Sequence, residues 1–344
     1  MGIMRSPAKT LAHQFLTSSP LTLLAFGILL SLFDFSALYG AASRDGVLRI
    51  DHGVGLLQNY GLISSIFGNS VFLYLAKIYY DAIRSIRKSK AVADSAPLEA
   101  SLAGLDAMIA MEREYRFLAY LFLVIGSAFW VSNVSFHVIG NPELRWGHKV
   151  FDSPDHRLAF YASRLHNAYS WLIVLPLLGH VMIYASVQLR RIVGAAAERR
   201  LLRYDLLNPD QKGGFLFVER AHVAFNAVVA LIYVQITMHI ETFSQMHAEH
   251  VVAYVFVTVA FIGINRIFLG DIYATVKDLK LDALNRIKDS VYENDKLSFE
   301  ILKYCYERRI NEFSLVNFVI KAGAIALSGA IKVWPSIAKS LTGF

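Results

Sequence analysis

The sequence predicts an all-α, polytopic membrane protein with six transmembrane helices, a cytoplasmic helical region and a C-terminal amphipathic helix in the membrane interface. Three observations predict it. Of 344 residues, 55% are hydrophobic and only 18% charged, and mean hydropathy is positive, a balance foreign to soluble domains. The apolar residues fall in blocks long enough to cross a bilayer. The Lys and Arg, in excess by a net charge of +7, collect in particular loops between those blocks, which is a topology signal and argues against a nucleic-acid partner.

Residues 1–20 read as a cytoplasmic N-terminal segment carrying Arg5 and Lys9. A six-helix domain, 21–269, follows, with spans at 21–42, 54–76, 117–138, 166–187, 218–240 and 251–269. Each is roughly 20 residues, near the ~30 Å that a helix covers at ~1.5 Å per residue. The first reads as an uncleaved span, because Asp34 interrupts it and no A-x-A cleavage site follows. Basic clusters precede span one and follow spans two (Lys77, Arg84, Arg87, Lys88, Lys90), four (Arg190, Arg191, Arg199, Arg200, Arg203) and six (Lys277, Lys280, Arg286, Lys288). All four place both termini in the cytoplasm.

Two cytoplasmic loops have content. Residues 85–111 are charged, then rich in Ala and Ser, and broken by Pro97, as in a helical hairpin or a linker. Residues 190–217 hold a basic helix and then "LLNPDQKGGF", where Asn208-Pro209-Asp210 begins a turn and Gly213-Gly214 releases the chain into span five. Residues 270–312 carry charges of both signs, with Val276, Leu279, Ala283, Ile287 and Val291 at three- and four-residue steps. That pattern is an amphipathic helix or helix pair suited to a cytoplasmic protein partner or a second subunit.

The last segment, 313–344, is apolar but contains Lys321, Lys332 and Lys339. At 100° per residue these fall with Asn317 and Ser328 within roughly 60° of one another, one narrow polar stripe. A lysine at mid-membrane is costly, whereas a helix lying in the interface keeps the stripe wet. Insertion as a pore-lining helix is the alternative.

The candidate chemistry is carried by polar groups inside apolar runs. Asp34 lies within the first span, where a carboxylate is expensive unless paired or hydrated, and "SLFDFSALY" gives it no local cation. Its partner has to come from another helix: span two (Gln58, Asn59, Ser64, Ser65, Asn69), His180 of span four, or Asn226 and Gln235 of span five. Asp34, Asn59, Asn69, His180, Asn226 and Gln235 are thus the candidate ion or proton pathway; a neutral Asp34 that fixes helix packing is the plainer reading. Pro176, with Gly179 three residues on, marks a kink that frees a carbonyl inside span four.

A second cluster, "MHIETFSQMHAEH", is expected in the outer turn between spans five and six. His239, Glu241, His247, Glu249 and His250 there could hold a divalent metal, sense pH, or simply keep a hairpin in the headgroup layer. The spacing is not the H-E-x-x-H of one helix face. Eight of eleven histidines (His52, His137, His148, His156, His166, His239, His247, His250) fall toward the outer side. Together with His180 and His222, two layers of histidine would also suit a di-haem protein. Cys305, alone, excludes an intrachain disulfide and a thiolate zinc site. No phosphate loop, catalytic triad or dinucleotide fingerprint is present.

These features favour an oligomeric ion channel or membrane-permeability effector of a bacterial inner membrane, without a cofactor and not an enzyme. A non-transporting scaffold or sensor subunit and a haem- or metal-dependent redox protein are the alternatives. The topology has a direct test: cysteines placed at Ser153 or Gln245 should react with an impermeant maleimide added outside intact cells, and one at Gln211 should not. Labelling at position 211 would reverse the orientation.

Overall fold

The computed structural model describes residues 14–44 without 16, 60–91 without 90, 99–107 in part, and 116–134. It further describes 154–243 without 199, 209 and 211, positions 255 and 259, 270–292 and 296–307. Most of these residues are helical, and no strand occurs among them. In chain order they form α1 (Pro20–Arg44), α2 (Tyr60–Arg84, continued by a 3₁₀ turn, Ser85–Lys88), α3 (Arg116–Val134) and α4 (Pro154–Ala168). A π-helical turn (Tyr169–Val174) joins α4 to α5 (Leu175–Glu198), and α6 (Leu216–Phe243), α7 (Gly270–Tyr292) and α8 (Lys296–Glu307) follow.

Four helical stretches are long and apolar enough to cross a membrane: Pro20–Ala41, Leu62–Lys88, Arg157–Glu198 and Leu216–Met238; Arg116–Val131 is a shorter apolar helix. The expected span 251–269 apart from positions 255 and 259, the tail 313–344 and most of segment 1–20 lie outside the described residues.

Two boundaries differ from expectation for one reason. Hydropathy ends a span at the first cluster of polar side chains, but a helix continues wherever those side chains find partners. The helix expected over 166–187 begins at Pro154, and Arg157–Glu198 is one stretch of 42 residues. Pro154 stands at the first helical position, where a missing N–H costs nothing. Likewise α2 runs past Ala76, and Lys77, counted above as a loop cation, is buried within it. Its Nζ donates to Asp81 Oδ1 at 2.7 Å, one helical turn on, and lies 5.2 Å from the Tyr80 ring.

Helix α1 shows the packing logic most plainly. It starts at Pro20, with the Ser19 hydroxyl accepting the Thr22 N–H at 3.1 Å as an N-cap. Its buried stripe, Gly27, Ser31, Asp34, Leu38 and Ala41 at steps of three and four, is small or polar at every position but Leu38. Its outer face carries Leu21, Phe26, Leu29, Leu32, Phe33 and Tyr39, all exposed. This arrangement, small and polar inward and large and apolar outward, suits a helix whose outer neighbours are lipid chains. Ser31 Oγ donates to the Ile66 carbonyl at 2.6 Å and ties α1 to α2. At Gly27 the backbones approach so closely that a Cβ would lie 2.7 Å from the Ser70 Cα and carbonyl oxygen.

Helix α2 is central and lies against α1, α5 and α6. Its Tyr79, Tyr80 and Ile83 are completely buried. Helix α3 lies on the α5 side, where Phe129 stacks on Trp171 with centroids 5.0 Å apart.

At one end of the bundle, rich in Arg and Lys, the chain folds back on itself. The Asp210 carboxylate accepts the N–H groups of Lys212 (2.8 Å) and Gly214 (3.1 Å), and Gly213 and Gly214 take φ of 65° and 92° before α6 begins. Ser89 Oγ donates to the Gly214 carbonyl and Arg203 N–H to that of Ala91, so this loop is bound to the end of α2. Helix α7 packs Ile272 and Val276 into the same end, and Arg190 of α5 pairs with Asp271 at 2.6 Å.

Close packing makes a within-helix prediction. Gly27→Ala should lower stability in detergent by about 1–3 kcal/mol, the usual cost of overpacking. Gly40→Ala, with open space around the added methyl, should be neutral or stabilising by up to ~1 kcal/mol through helix propensity. Thermal unfolding of the two variants beside the parent decides it, and equal midpoints would contradict the packing at Gly27.

Candidate functional site

The polar groups inside the bundle converge on Asp34. Asp34 comes from the third quarter of α1, about 10 Å along the helix from Ala41 at ~1.5 Å per residue. It is met by His166, three turns into α4. His166 Nδ1 and Asp34 Oδ2 are 2.8 Å apart, and the two side chains are 3% and 2% exposed. Ala159 and Ala162, two turns and one turn before His166, are small enough to let α4 lie against α1 beside Ala37, Leu38 and Ala41.

Three buried polar atoms at this site have no hydrogen-bond partner among the described residues: Asp34 Oδ1, His166 Nε2 and the Tyr169 hydroxyl. The Tyr169 ring lies 6.5 Å from that of His166, at 23°. Arg164, also buried, lies with its guanidinium 5.6 Å from the Phe160 ring centroid.

A chain of hydrogen bonds leads from His166 across the bundle. Ser170 Oγ donates to the His166 carbonyl (2.9 Å), Asn69 Nδ2 donates to Ser170 Oγ (2.9 Å), and Gln235 Nε2 donates to Asn69 Oδ1 and to the Ser64 carbonyl (3.3 Å each). It thus joins the π turn, α2 and α6. Three residues expected in the pathway, Asp34, Asn69 and Gln235, are brought to one site, and the partner of Asp34 is His166 rather than any candidate named above.

The π turn follows from Pro176. In an α-helix the proline ring would collide with the carbonyl four residues before it. Here the turn widens, and Leu175 N–H reaches the Ser170 carbonyl five residues back. Continuing that series would require an N–H from Pro176 for the Trp171 carbonyl, and proline has none. Gly126 of α3 lies against that carbonyl, so closely that a Cβ there would overlap it.

The other expected residues are elsewhere. His180 is about 20 Å along the helix from His166 at ~1.5 Å per residue. It is buried edge-on to Tyr184, with centroids 4.9 Å apart. Asn226 is buried nearer the basic end, and its amide has no hydrogen-bond partner among the described residues. His222 meets the Tyr273 ring of α7 at 5.3 Å. Burial, with the Glu219 carboxylate and Tyr79 adding to it, pushes the Tyr273 phenol far above the ordinary tyrosine value, so Tyr273 stays protonated.

The backbone at His239 and Glu241 belongs to α6, which runs to Phe243, so the helix continues past Met238, where the turn was expected to begin. Asn59, His247, Glu249, His250, Lys321, Lys332 and Lys339 lie outside the described residues. Among the described residues no group of three or more His, Cys, Asp or Glu could hold a metal.

Sequence reasoning does not single out His166 as the partner, because as the first residue of the expected span 166–187 it falls at the outer end, away from the depth of Asp34. The sequence signal for an earlier start is Ser-Pro at 153–154, a residue type favoured at helix caps followed by one favoured at the first helical position.

Fold and site together define an all-helical protein with helices apolar enough to cross a membrane and a buried carboxylate–imidazole pair between two of them. Comparison of the chain with protein-family models, with curated proteins and with solved structures finds no match.

The pair predicts a characteristic pattern of stability. Removing one partner leaves the other buried and unanswered, so Asp34→Leu or His166→Leu should each cost about 3–5 kcal/mol, whereas the double variant should recover most of the loss. A double variant as unstable as the sum of the two would show that they are not coupled.

Proposed function

We propose that this chain is an ion-conducting membrane protein, an oligomeric channel or permeability effector by class, and that the ion it conducts or couples to is the proton. The observation that carries the reading is the 2.8 Å contact between two almost fully buried titratable groups, Asp34 and His166, in helices of membrane-crossing length. A carboxylate that accepts the Nδ1–H of a neutral imidazole gives the pair a net charge of −1. A proton arriving at the free lone pair of Nε2 makes it an imidazolium beside a carboxylate, net zero. The reverse step gives the proton up again, so the pair can take up and release one proton at Nε2. Intramembrane ionisable groups are rare for this reason and commonly mark ion paths.

The same reading takes the chain to cross a bacterial inner membrane six times with both termini cytoplasmic, to assemble with copies of itself, and to lay 313–344 on the inner leaflet. It leaves 270–312 available to a cytoplasmic partner.

Purified protein in liposomes containing a pH-sensitive dye should dissipate an imposed pH gradient. Asp34→Asn, which keeps hydrogen bonds but loses the charge, and His166→Gln should insert and fold yet lower that flux by about a hundredfold, the scale of one positioned proton-transfer group. Flux equal to the parent in both variants would make Asp34–His166 a packing contact and remove the proton reading.

A further inference from the structure

The Asp34–His166 pair depends on the angle at which His166 leaves its helix, and that angle is set beyond the residue itself. The π turn, Tyr169–Val174, holds one more residue than an α-helical path of the same length would. Were it to close into an α-helix, α4 would turn by about 100° and shift by ~1.5 Å relative to α5, the increments for one helical residue. His166 would then point away from α1. What keeps the turn wide therefore also keeps the pair together.

Pro176 explains why the turn cannot close comfortably on its C-terminal side. On its N-terminal side the hydrogen-bond chain is what fastens it. Ser170, the second residue of the π turn, donates to the His166 carbonyl and accepts from Asn69, whose own oxygen accepts from Gln235. The amides of this chain cannot pass a proton along without changing tautomer, and the chain ends on a backbone carbonyl, that of Ser64. It is therefore an anchor between three helices and not a wire. Gly68 belongs to it as well, because a Cβ at that position would collide with the Gln235 amide nitrogen. A glycine in mid-helix costs stability, and here its bare Cα makes room for the amide to reach α2.

We propose that Ser170, Asn69 and Gln235 are positioning residues for the Asp34–His166 pair: they hold the widened turn in place, and the widened turn aims His166 at Asp34. The inference rests on the proton reading only for its flux readout. Its structural readout stands even in a protein that conducts nothing.

The experiment uses the full-length protein in liposomes, labelled with ¹⁵N-histidine, the His166 signals being assigned by their loss in His166→Gln. In the parent, the Nδ1 signal should carry the shift of a ring nitrogen hydrogen-bonded to a carboxyl group. Three variants break the anchor by different routes: Ser170→Ala removes the hydroxyl, Gln235→Leu removes the amide, and Gly68→Ala displaces the amide while deleting no polar group. Each should move the His166 Nδ1 signal toward that of an imidazole without a carboxyl partner and lower proton flux roughly tenfold, as small misplacements of reacting groups do. Ser170→Thr, which restores a hydroxyl, should return both to the parent values.

An unchanged His166 signal in Ser170→Ala and Gly68→Ala, in protein that elutes from size exclusion like the parent, overturns the inference. So does a Ser170→Thr variant that behaves like Ser170→Ala. A parent that shows no flux while the His166 signal responds as expected sinks the proton reading and leaves the positioning role standing.

Discussion

A carboxyl group inside a bundle of apolar helices has to be answered by another group, and in this protein the answer of His166 to Asp34 organises the part of the bundle farthest from the basic end. Buried charge is tolerable only with a partner at hydrogen-bond distance. The 2.8 Å contact therefore requires α4 to reach α1 as a helix and to present one particular face. The alanines at 159 and 162 admit that approach, while Ser31 and Gly27 bring α1 onto α2 along the same stripe. Large apolar side chains are spent on the outer face of α1, where hydrocarbon would welcome them.

The widened turn after His166 joins two requirements that would otherwise conflict. Pro176 breaks the α-helical hydrogen-bond series, and the break is absorbed by a π turn within a continuous 42-residue stretch. The backbone oxygen left over at Trp171 sits against Gly126, and the hydroxyl of Ser170 is taken up by Asn69. Polar groups that would be costly in isolation are thereby used on one another. The result is a rigid connection between the pair and two further helices, α2 and α6.

The basic end is built on different physics. Its polar contacts are an exposed ion pair, Arg190 with Asp271, a half-buried one, Lys212 with Glu219, and the half-buried Asp210 carboxylate on its own turn. Exposed ion pairs contribute little stability each. Burial of Ile272 and Val276 of α7 against α5 and α6 contributes the apolar part.

The helical class, the long apolar blocks and the peculiarity of Asp34 are properties of the sequence itself, because composition and hydropathy act locally and need no knowledge of neighbours. So is the break at Pro176, which follows from one missing N–H. The identity of the partner was not legible: Gln58, Asn59, Asn69, His180, Asn226, Gln235 and His166 all offer polar atoms, and choosing among them depends on helix azimuth and depth. Azimuth here hinges on a single extra residue in the π turn, which shifts every position before it by about 100° and which no periodicity of side chains records. Lys77 shows the same limit. Its charge marks it as a loop residue by hydropathy, and only the approach of Asp81 and Tyr80 on the continuing helix makes its burial affordable. Local chemistry determined which residues needed partners; the packing of α1, α2, α4 and α6 decided which partners they received, because contacts between residues more than a hundred positions apart, 132 in the case of Asp34 and His166, exist only once the helices are in place.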